Sequence, residues 1–257
     1  MKITVLTENT SMTGLDCEHG LSLYIEANET KLLFDTGQSN LFSINAKALG
    51  IDLSLVDIAV ISHGHYDHGG GISEFLEINK KAPVYISRYA FEPHYNGTEK
   101  YIGLDTELRN NSRIILTDGS TELGNGMTLY AVHDMKKLVD FGSAGLNMIQ
   151  NGKMQSDDFR HEHYLLIEEN SRRILISGCS HRGIINIEDQ FRPDVLIGGF
   201  HFSKLPLDSV LSSCAKQLDS YNTDYYTCHC TGTEQFEFMK QHMKRLDYIS
   251  TGMIFEI

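Results

Sequence analysis

The chain of 257 residues has no long apolar run, no surplus of basic charge and no paired cysteine framework. Nowhere do about 18 consecutive apolar residues occur, so no membrane-spanning helix is expected. Lys and Arg number 22 against 34 Asp and Glu, a formal net charge of −12. A chain this acidic is a poor general binder of phosphate backbones, and no basic run interleaved with aromatics offsets the deficit. Nucleic acid is therefore not an expected partner. Five cysteines, Cys17, Cys179, Cys214, Cys228 and Cys230, are an odd number scattered along the chain. That pattern argues against a secreted disulfide scaffold and for the reducing cytoplasm. Also missing are a Walker-type phosphate loop and a Gly-x-Ser-x-Gly nucleophile turn. The segment Met1–Thr7 alternates apolar and polar residues with no signal-peptide core, and reads as a first strand.

With 41% hydrophobic and 22% charged residues the composition is that of an ordinary globular protein, expected to form one domain over residues 1–257. A chain of this length can bury about three quarters of its unfolded surface, so its core needs no staples and any metal is free to serve chemistry. Apolar runs bounded by turn residues predict strands at Leu21–Glu26, Lys31–Phe34, Asp57–Ile61, Val84–Ser87, Arg113–Leu116 and Met127–Ala131. Further strands are expected at Tyr164–Glu168, Arg173–Ile176, Asp194–Ile197 and Tyr225–Thr227. Helices are expected over Asn40–Leu49, with Leu41, Ile44, Ala48 and Leu49 at helical spacing before Gly50, and over Leu207–Leu218 and Thr233–Met243. Strands and helices interleave, but the early strands form a hairpin pair, which gives a layered α/β fold with mixed sheets. The run Leu21–Asp35 lies without gaps on His163–Ser177, and each copy leads to a strand that opens with Asp and is followed by histidine. Two pseudo-equivalent halves, each a sheet with helices, follow from that match. Residues Glu92–Asn111 and Lys136–Arg160 are polar and turn-rich, and read as exposed excursions of the length often used as lids.

The decisive stretch is Ser62-His63-Gly64-His65-Tyr66-Asp67-His68-Gly69-Gly70-Gly71, directly after a strand. Three imidazoles and a carboxylate within six residues mix nitrogen and oxygen donors suited to zinc, iron or manganese. In an extended backbone His63 and His65 point to one side, while Asp67 and His68 lie in a turn beyond that could face a second ion.

This segment resembles the metallo-β-lactamase superfamily, whose H-x-H-x-D-H signature is met at every fixed position by His63, His65, Asp67 and His68. Leu33-Phe34-Asp35-Thr36-Gly37 resembles the Asp-x-Gly element that supports the metal loop in that family. Within the superfamily the chain is similar to the branch named for the archaeal 7,8-dihydropterin-6-methyl-4-(β-ribofuranosyl)aminobenzene 5′-phosphate synthase. The matching phrases are His19-Gly20-Leu21-Ser22, His161-Glu162, Ser177 to Ile187, Gly198-Gly199-Phe200-His201 and His229-Cys230-Thr231-Gly232.

The resemblance implies a four-layer αββα sandwich of two mixed sheets flanked by helices, carrying one or two divalent ions, zinc foremost. It implies metal ligands at His63, His65, Asp67, His68 and His229. The usual Gly-Asp bridge is replaced by Gly178-Cys179, with His181 two residues on; Cys179 could ligate or pack, and His181 is the better donor. His201, at a strand end, is open to three roles: ligand, acid/base or packed donor. The place of His161 and Glu162 suits a ligand histidine, but the family's surrounding phrase is absent. His163 is expected to face the sheet, while His94, His133 and His242 are expected at the surface or in a cavity. Cys228 and Cys230 are expected to point away from His229 and pack. The implied activity is hydrolysis of a small phosphate-containing or ester-like substrate by a metal-bound hydroxide, with Asp67 orienting water and His201 or His181 passing a proton. The alternatives are a transferase joining a pterin diphosphate to an arylamine, and a non-catalytic metal or ligand sensor.

Overall fold

The computed structural model describes residues 1–131, 135 and 137–257, so the expectation for His133 lies outside the described residues. The chain opens with β1 (Lys2–Thr7), the hairpin β2 (Ser22–Ala27) and β3 (Thr30–Phe34), helix α1 (Leu41–Ala48) and β4 (Ile58–Ile61). The one-turn helix α2 (Tyr66–Gly69), α3 (Ile72–Ile78) and β5 (Val84–Ser87) follow. Next come β6 (His94–Asn96), β7 (Lys100–Tyr101), β8 (Ile114–Thr117), β9 (Ser120–Gly124), β10 (Met127–Ala131), β11 (Leu146–Gln150) and β12 (Lys153–Ser156). The second half holds the hairpin β13 (His163–Glu169) and β14 (Arg172–Ile176), α4 (Ile184–Phe191), β15 (Val195–Gly198), α5 (Ser209–Asp219) and β16 (Asp224–Thr227). It ends with α6 (Thr233–Lys240), β17 (Leu246–Tyr248) and β18 (Ile254–Glu256).

Two seven-stranded sheets result, ordered β18-β1-β2-β3-β4-β5-β8 and β17-β16-β15-β14-β13-β10-β9. The internal match in the sequence is real structure. Both hairpins turn through two residues of positive φ, Asn28 and Glu29 at 46° and 62°, and Asn170 and Ser171 at 50° and 60°. That backbone is the hairpin turn whose twist suits the flanking strands. In each sheet the second hairpin strand then pairs in parallel with the next one, β3 with β4 and β14 with β15.

Apolar residues from both sheets meet in one buried layer that includes Ile3, Leu23, Ile25 and Val60 from one and Leu129, Leu165, Ile174 and Ile197 from the other. Outside the first sheet, Phe42 and Ala46 of α1 and Ile72 and Phe75 of α3 cover Leu33, Ala59 and Ile61. Outside the second, Ile184 and Ile187 of α4, Leu211 of α5 and Met239 of α6 cover Leu175, Leu196 and Tyr225. The order is helix, sheet, sheet, helix, as the resemblance implied.

Two expectations change. The face of α1 turned inward carries Phe42, Asn45 and Ala46, and Ile44 is exposed. Asn45 is the reason: its amide donates to the carbonyls of Leu6 and Asp16 at 2.8 and 2.9 Å, which an apolar side chain could not do. The two excursions are not bare loops either. Their short strands form a separate sheet, β12-β11-β6-β7, in which β6 of the first pairs with β11 of the second.

Candidate metal centre

Parallel strands of both sheets end at one rim, and each end delivers a polar group. β3 leads to Asp35, β4 to the loop of His63, β14 to Cys179 and His181, β15 to His201, and β16 to His229. The backbone there is unusual: Asp35, Ser180, His201 and His229 have φ of +59°, +58°, +57° and +50°. Residues other than glycine rarely take this region, and those that do gather where a site over-determines them.

Ring nitrogens converge on two foci. His63 Nε2 and His181 Nε2 are 3.3 Å apart, and His68 Nε2 and His229 Nε2 are 3.1 Å apart. Asp67 Oδ2 lies 3.4 Å from His229 Nε2 and 3.9 Å from His68 Nε2. Cys179 Sγ, 3.2 Å from His68 Nε2, belongs to the donor groups at both foci. Two nitrogen or oxygen donors about 2.0–2.1 Å from one tetrahedral ion are separated by about 3.3 Å, so these spacings are those of a divalent site. His65 stands beside His63 and His181, with ring centroids 4.6 and 4.9 Å away.

Polar partners behind the rings select the ligating nitrogen. His68 Nδ1 bonds to Asp35 Oδ2 at 2.7 Å and His229 Nδ1 to Asn9 Oδ1 at 2.8 Å, which fixes each proton on Nδ1 and turns Nε2 toward the focus. Bare lone pairs so close need positive charge between them. Asp35 also accepts from Ser62 N and Oγ at 2.7 and 2.8 Å, tying the start of the metal loop to the end of β3.

Charge states agree with this geometry. Burial, then the neighbouring imidazoles, holds His63, His65 and His181 well below the ordinary histidine value, leaving them neutral and able to donate lone pairs. Burial likewise pushes His229 down to about 4. At His68 burial is outweighed by Asp35 and Asp67, and the ring is shifted upward, so this point favours a cation. Asp67 is held well below its usual range, because His68, His19 and His229 overcome the effect of burial. Among the described residues His65 Nε2 and His181 Nδ1 are buried polar atoms without a hydrogen-bond partner. The donor set therefore fits one or two divalent ions.

The expected residues His63, His65, Asp67, His68, His181 and His229 thus come together. His201 stands beside them, its ring centroid 4.4 Å from that of His181. Burial, with Lys204 nearby, pushes its pKa down to about 4, so at neutral pH it accepts rather than donates a proton. Glu162 accepts from the backbone N–H of His181 and Arg182 at 2.8 and 3.1 Å and from Tyr164 Oη at 2.6 Å, anchoring the loop that carries His181. His163 faces the sheet as expected and donates to the carbonyl of Ile61.

Other expectations are corrected. His94 is fully buried, its Nδ1 2.8 Å from Asp157 Oδ2, which also meets His161 Nε2 at 3.3 Å. His161 Nδ1 accepts from Gly64 N at 2.9 Å, which braces the metal loop, and His65, His94, Asp157 and His161 together form a further buried group of possible metal donors. Cys228 packs between the sheets, but Cys230 reaches the cleft and lies 3.4 Å from the carbonyl of Cys179, because a 3-10 turn at His229–Thr231 breaks strand alternation. Four residues of this centre had no role assigned from sequence: Glu8, Asn9, His19 and Asp157. Glu8 is buried and accepts from His229 N at 2.6 Å and from Tyr248 Oη at 2.7 Å.

The centre forms the floor of a cleft of about 400 Å³. Its walls include Asn96, Lys100, Ile102 and Leu146 from the excursions, Ser203 and Lys204 after β15, and Tyr248.

A solved structure, Tm1679, described as a metal-dependent hydrolase of the β-lactamase superfamily, is 31% identical. It matches over 100% of this chain and 99% of its own, with a TM-score of 0.86. The chain belongs to the metallo-β-lactamase superfamily. The model of that superfamily matches residues 15–136, the stretch that holds Asp35 and the H-x-H-x-D-H loop. Two proteins of Methanocaldococcus jannaschii are similar over nearly the whole length. One, the uncharacterized protein MJ0448, is 28% identical over 93% of this chain and 94% of its own. The other, 7,8-dihydropterin-6-methyl-4-(β-D-ribofuranosyl)-aminobenzene-5′-phosphate synthase, is 27% identical over 92% of this chain and 89% of its own. The superfamily is one of metal-dependent enzymes, and the donor set of this chain fits divalent metal; among the described residues no helix is long and apolar enough to cross a membrane.

Proposed function

We propose that the protein is a metal-dependent hydrolase acting on a small phosphate-containing or ester-like molecule in the cytoplasm, with zinc as its ion. The observation that carries this reading is the convergence of His68, His229 and Asp67 at 3.1 to 3.9 Å on the floor of an open cleft. His63, His65 and His181 would hold one ion and Asp67, His68 and His229 a second, with Cys179 between them. A divalent ion so placed lowers the pKa of a coordinated water toward about 7 and polarises a phosphoryl or carbonyl oxygen.

The chain's own groups supply the rest. Asp67 stays ionised and orients a water through its carboxylate. His201, unprotonated at neutral pH, accepts a proton from the nucleophile or anchors the substrate. Lys100 and Lys204 place positive charge on the walls of a cleft in an otherwise acidic protein, which suits an anionic small molecule and not a polyanion. The test is elemental analysis of protein purified without chelator, followed by a screen of phosphodiesters, lactones and thioesters. Metal with turnover supports the reading; metal with no turnover on the panel points to a sensor.

Similarity to the archaeal synthase favours one second reading, transfer of a pterin diphosphate to an arylamine. Product analysis with water and an arylamine as competing acceptors separates the two.

A further inference from the structure

Asn9 lies in the segment after β1, outside every metal-ligand motif, yet its amide touches both histidines that flank Asp67. Oδ1 accepts from His229 Nδ1 at 2.8 Å and from the backbone N–H of Gly20 at 3.2 Å. A backbone N–H can only donate, so this contact fixes which end of the amide is oxygen. The other end, Nδ2, then points at His19 Nδ1, 3.4 Å away. An amide NH2 can only donate, so Nδ1 of His19 is the bare nitrogen and its proton sits on Nε2, which lies 3.1 Å from Asp67 Oδ2.

We infer that Asn9 is a positioning residue that holds the two histidines in opposite tautomers, His229 as a metal ligand through Nε2 and His19 as an N–H donor at the cleft mouth. The inference rests on the metal reading above. It assigns His19 a role that its neighbours make possible, because this imidazole is exposed where the others of the cluster are buried. In that place its N–H can hydrogen-bond to Asp67 or to an oxygen of a bound substrate.

The surrounding chain is built to keep this arrangement. Glu18 clamps the next turn, accepting from Gln38 N, Ser39 N and Ser39 Oγ at 3.1, 3.2 and 2.6 Å. Gly20, at φ +149°, packs so closely on the carbonyl of Asp67 that a Cβ there would collide with it. His19 is thereby fixed between a clamped residue and one pressed onto the metal loop.

Nitrogen-15 NMR of the histidine side chains reads the tautomers directly, and chelator competition with zinc reads affinity. In the metal-free wild type the expected state is Nδ1 protonated at His229 and unprotonated at His19. Asn9→Ala removes the acceptor, and zinc affinity at this focus should fall about 10- to 100-fold, the loss usual for the partner behind a ligand histidine. Asn9→Asp keeps an acceptor for His229, so affinity should stay within a few-fold of wild type, but a carboxylate facing His19 should put a proton on its Nδ1. Identical tautomers at the two histidines in the wild type, or unchanged affinity in Asn9→Ala, would overturn the inference. A wild type that binds no zinc would instead overturn the metal reading and leave the tautomer signals to be judged alone.

Discussion

Asp35 and His68 meet at 2.7 Å with neither side chain reaching solvent, and the same carboxylate holds both donors of Ser62. One residue thus fixes the tautomer of a ligand and the start of the loop that bears the others. Asp35→Asn replaces an acceptor oxygen by a donor and leaves buried N–H or O–H groups facing it, at a cost of about 1–3 kcal/mol for each group left unpaired. Urea unfolding of the metal-free variant should show that loss, and zinc affinity should drop about 10- to 100-fold. Wild-type affinity in the variant would mean that His68 is not a ligand.

Cys179 and His181 stand where the resemblance implies the superfamily's Gly-Asp bridge, and their geometry separates them. His181 Nε2 faces His63 Nε2 directly, whereas Cys179 lies between the two foci, its thiol pushed well up by burial. His181→Ala should therefore remove one equivalent of metal, a larger effect than the about 10- to 100-fold typical of residues behind a ligand. Cys179→Ser keeps a donor of similar size and should retain both equivalents with weakened affinity. Full stoichiometry in His181→Ala would return that residue to a packing role.

Legibility in the sequence followed the range of the interactions. The hairpins could be read because alternation along a strand is local, and the two sheets because Leu21–Asp35 and His163–Ser177 repeat each other. His63, His65, Asp67 and His68 fall within six residues and need no partner to be noticed. Glu8 and Asn9 are 221 and 220 residues from His229, and a single polar residue after a strand carries no periodic signal. His94 and Asp157, 63 residues apart, sit in the polar excursions, where strands of two to five residues are too short to alternate visibly. The role of His19 was hidden for a related reason: its phrase is recognisable, but only the fold brings it to Asp67.

His201→Gln keeps a hydrogen-bonding side chain of similar reach but cannot carry a proton. Metal content should stay at the wild-type level while kcat falls by about 10²- to 10⁴-fold, the range for loss of a general acid or base. Because His201 titrates near 4, it is not expected to give the limb near neutrality that an unperturbed histidine would. Lost metal would make it a ligand, and an unchanged rate would leave it a bystander at the mouth of the cleft.

Glu188 offers a test of stability away from the metal. It lies on α4, inside the helix layer, with Oε1 accepting from Thr223 Oγ1 at 2.8 Å and the Tyr225 hydroxyl close by. Burial raises its pKa from 4.5 to about 7. The folded state thus prefers the neutral acid more than the unfolded chain does. Its contribution to stability is complete below about pH 4.5, falls as pH rises through about 7, and is flat above. A shift of this size corresponds to about 3 kcal/mol. Glu188→Gln keeps the acceptor for Thr223 but cannot ionise, which removes this one slope and leaves those of all other groups. The stability difference, wild type minus variant, should therefore fall by about 3 kcal/mol between pH 4.5 and 8 in urea titrations. A difference that stays constant across that range would show that Glu188 ionises normally in the folded protein, and that the helix layer around it admits water.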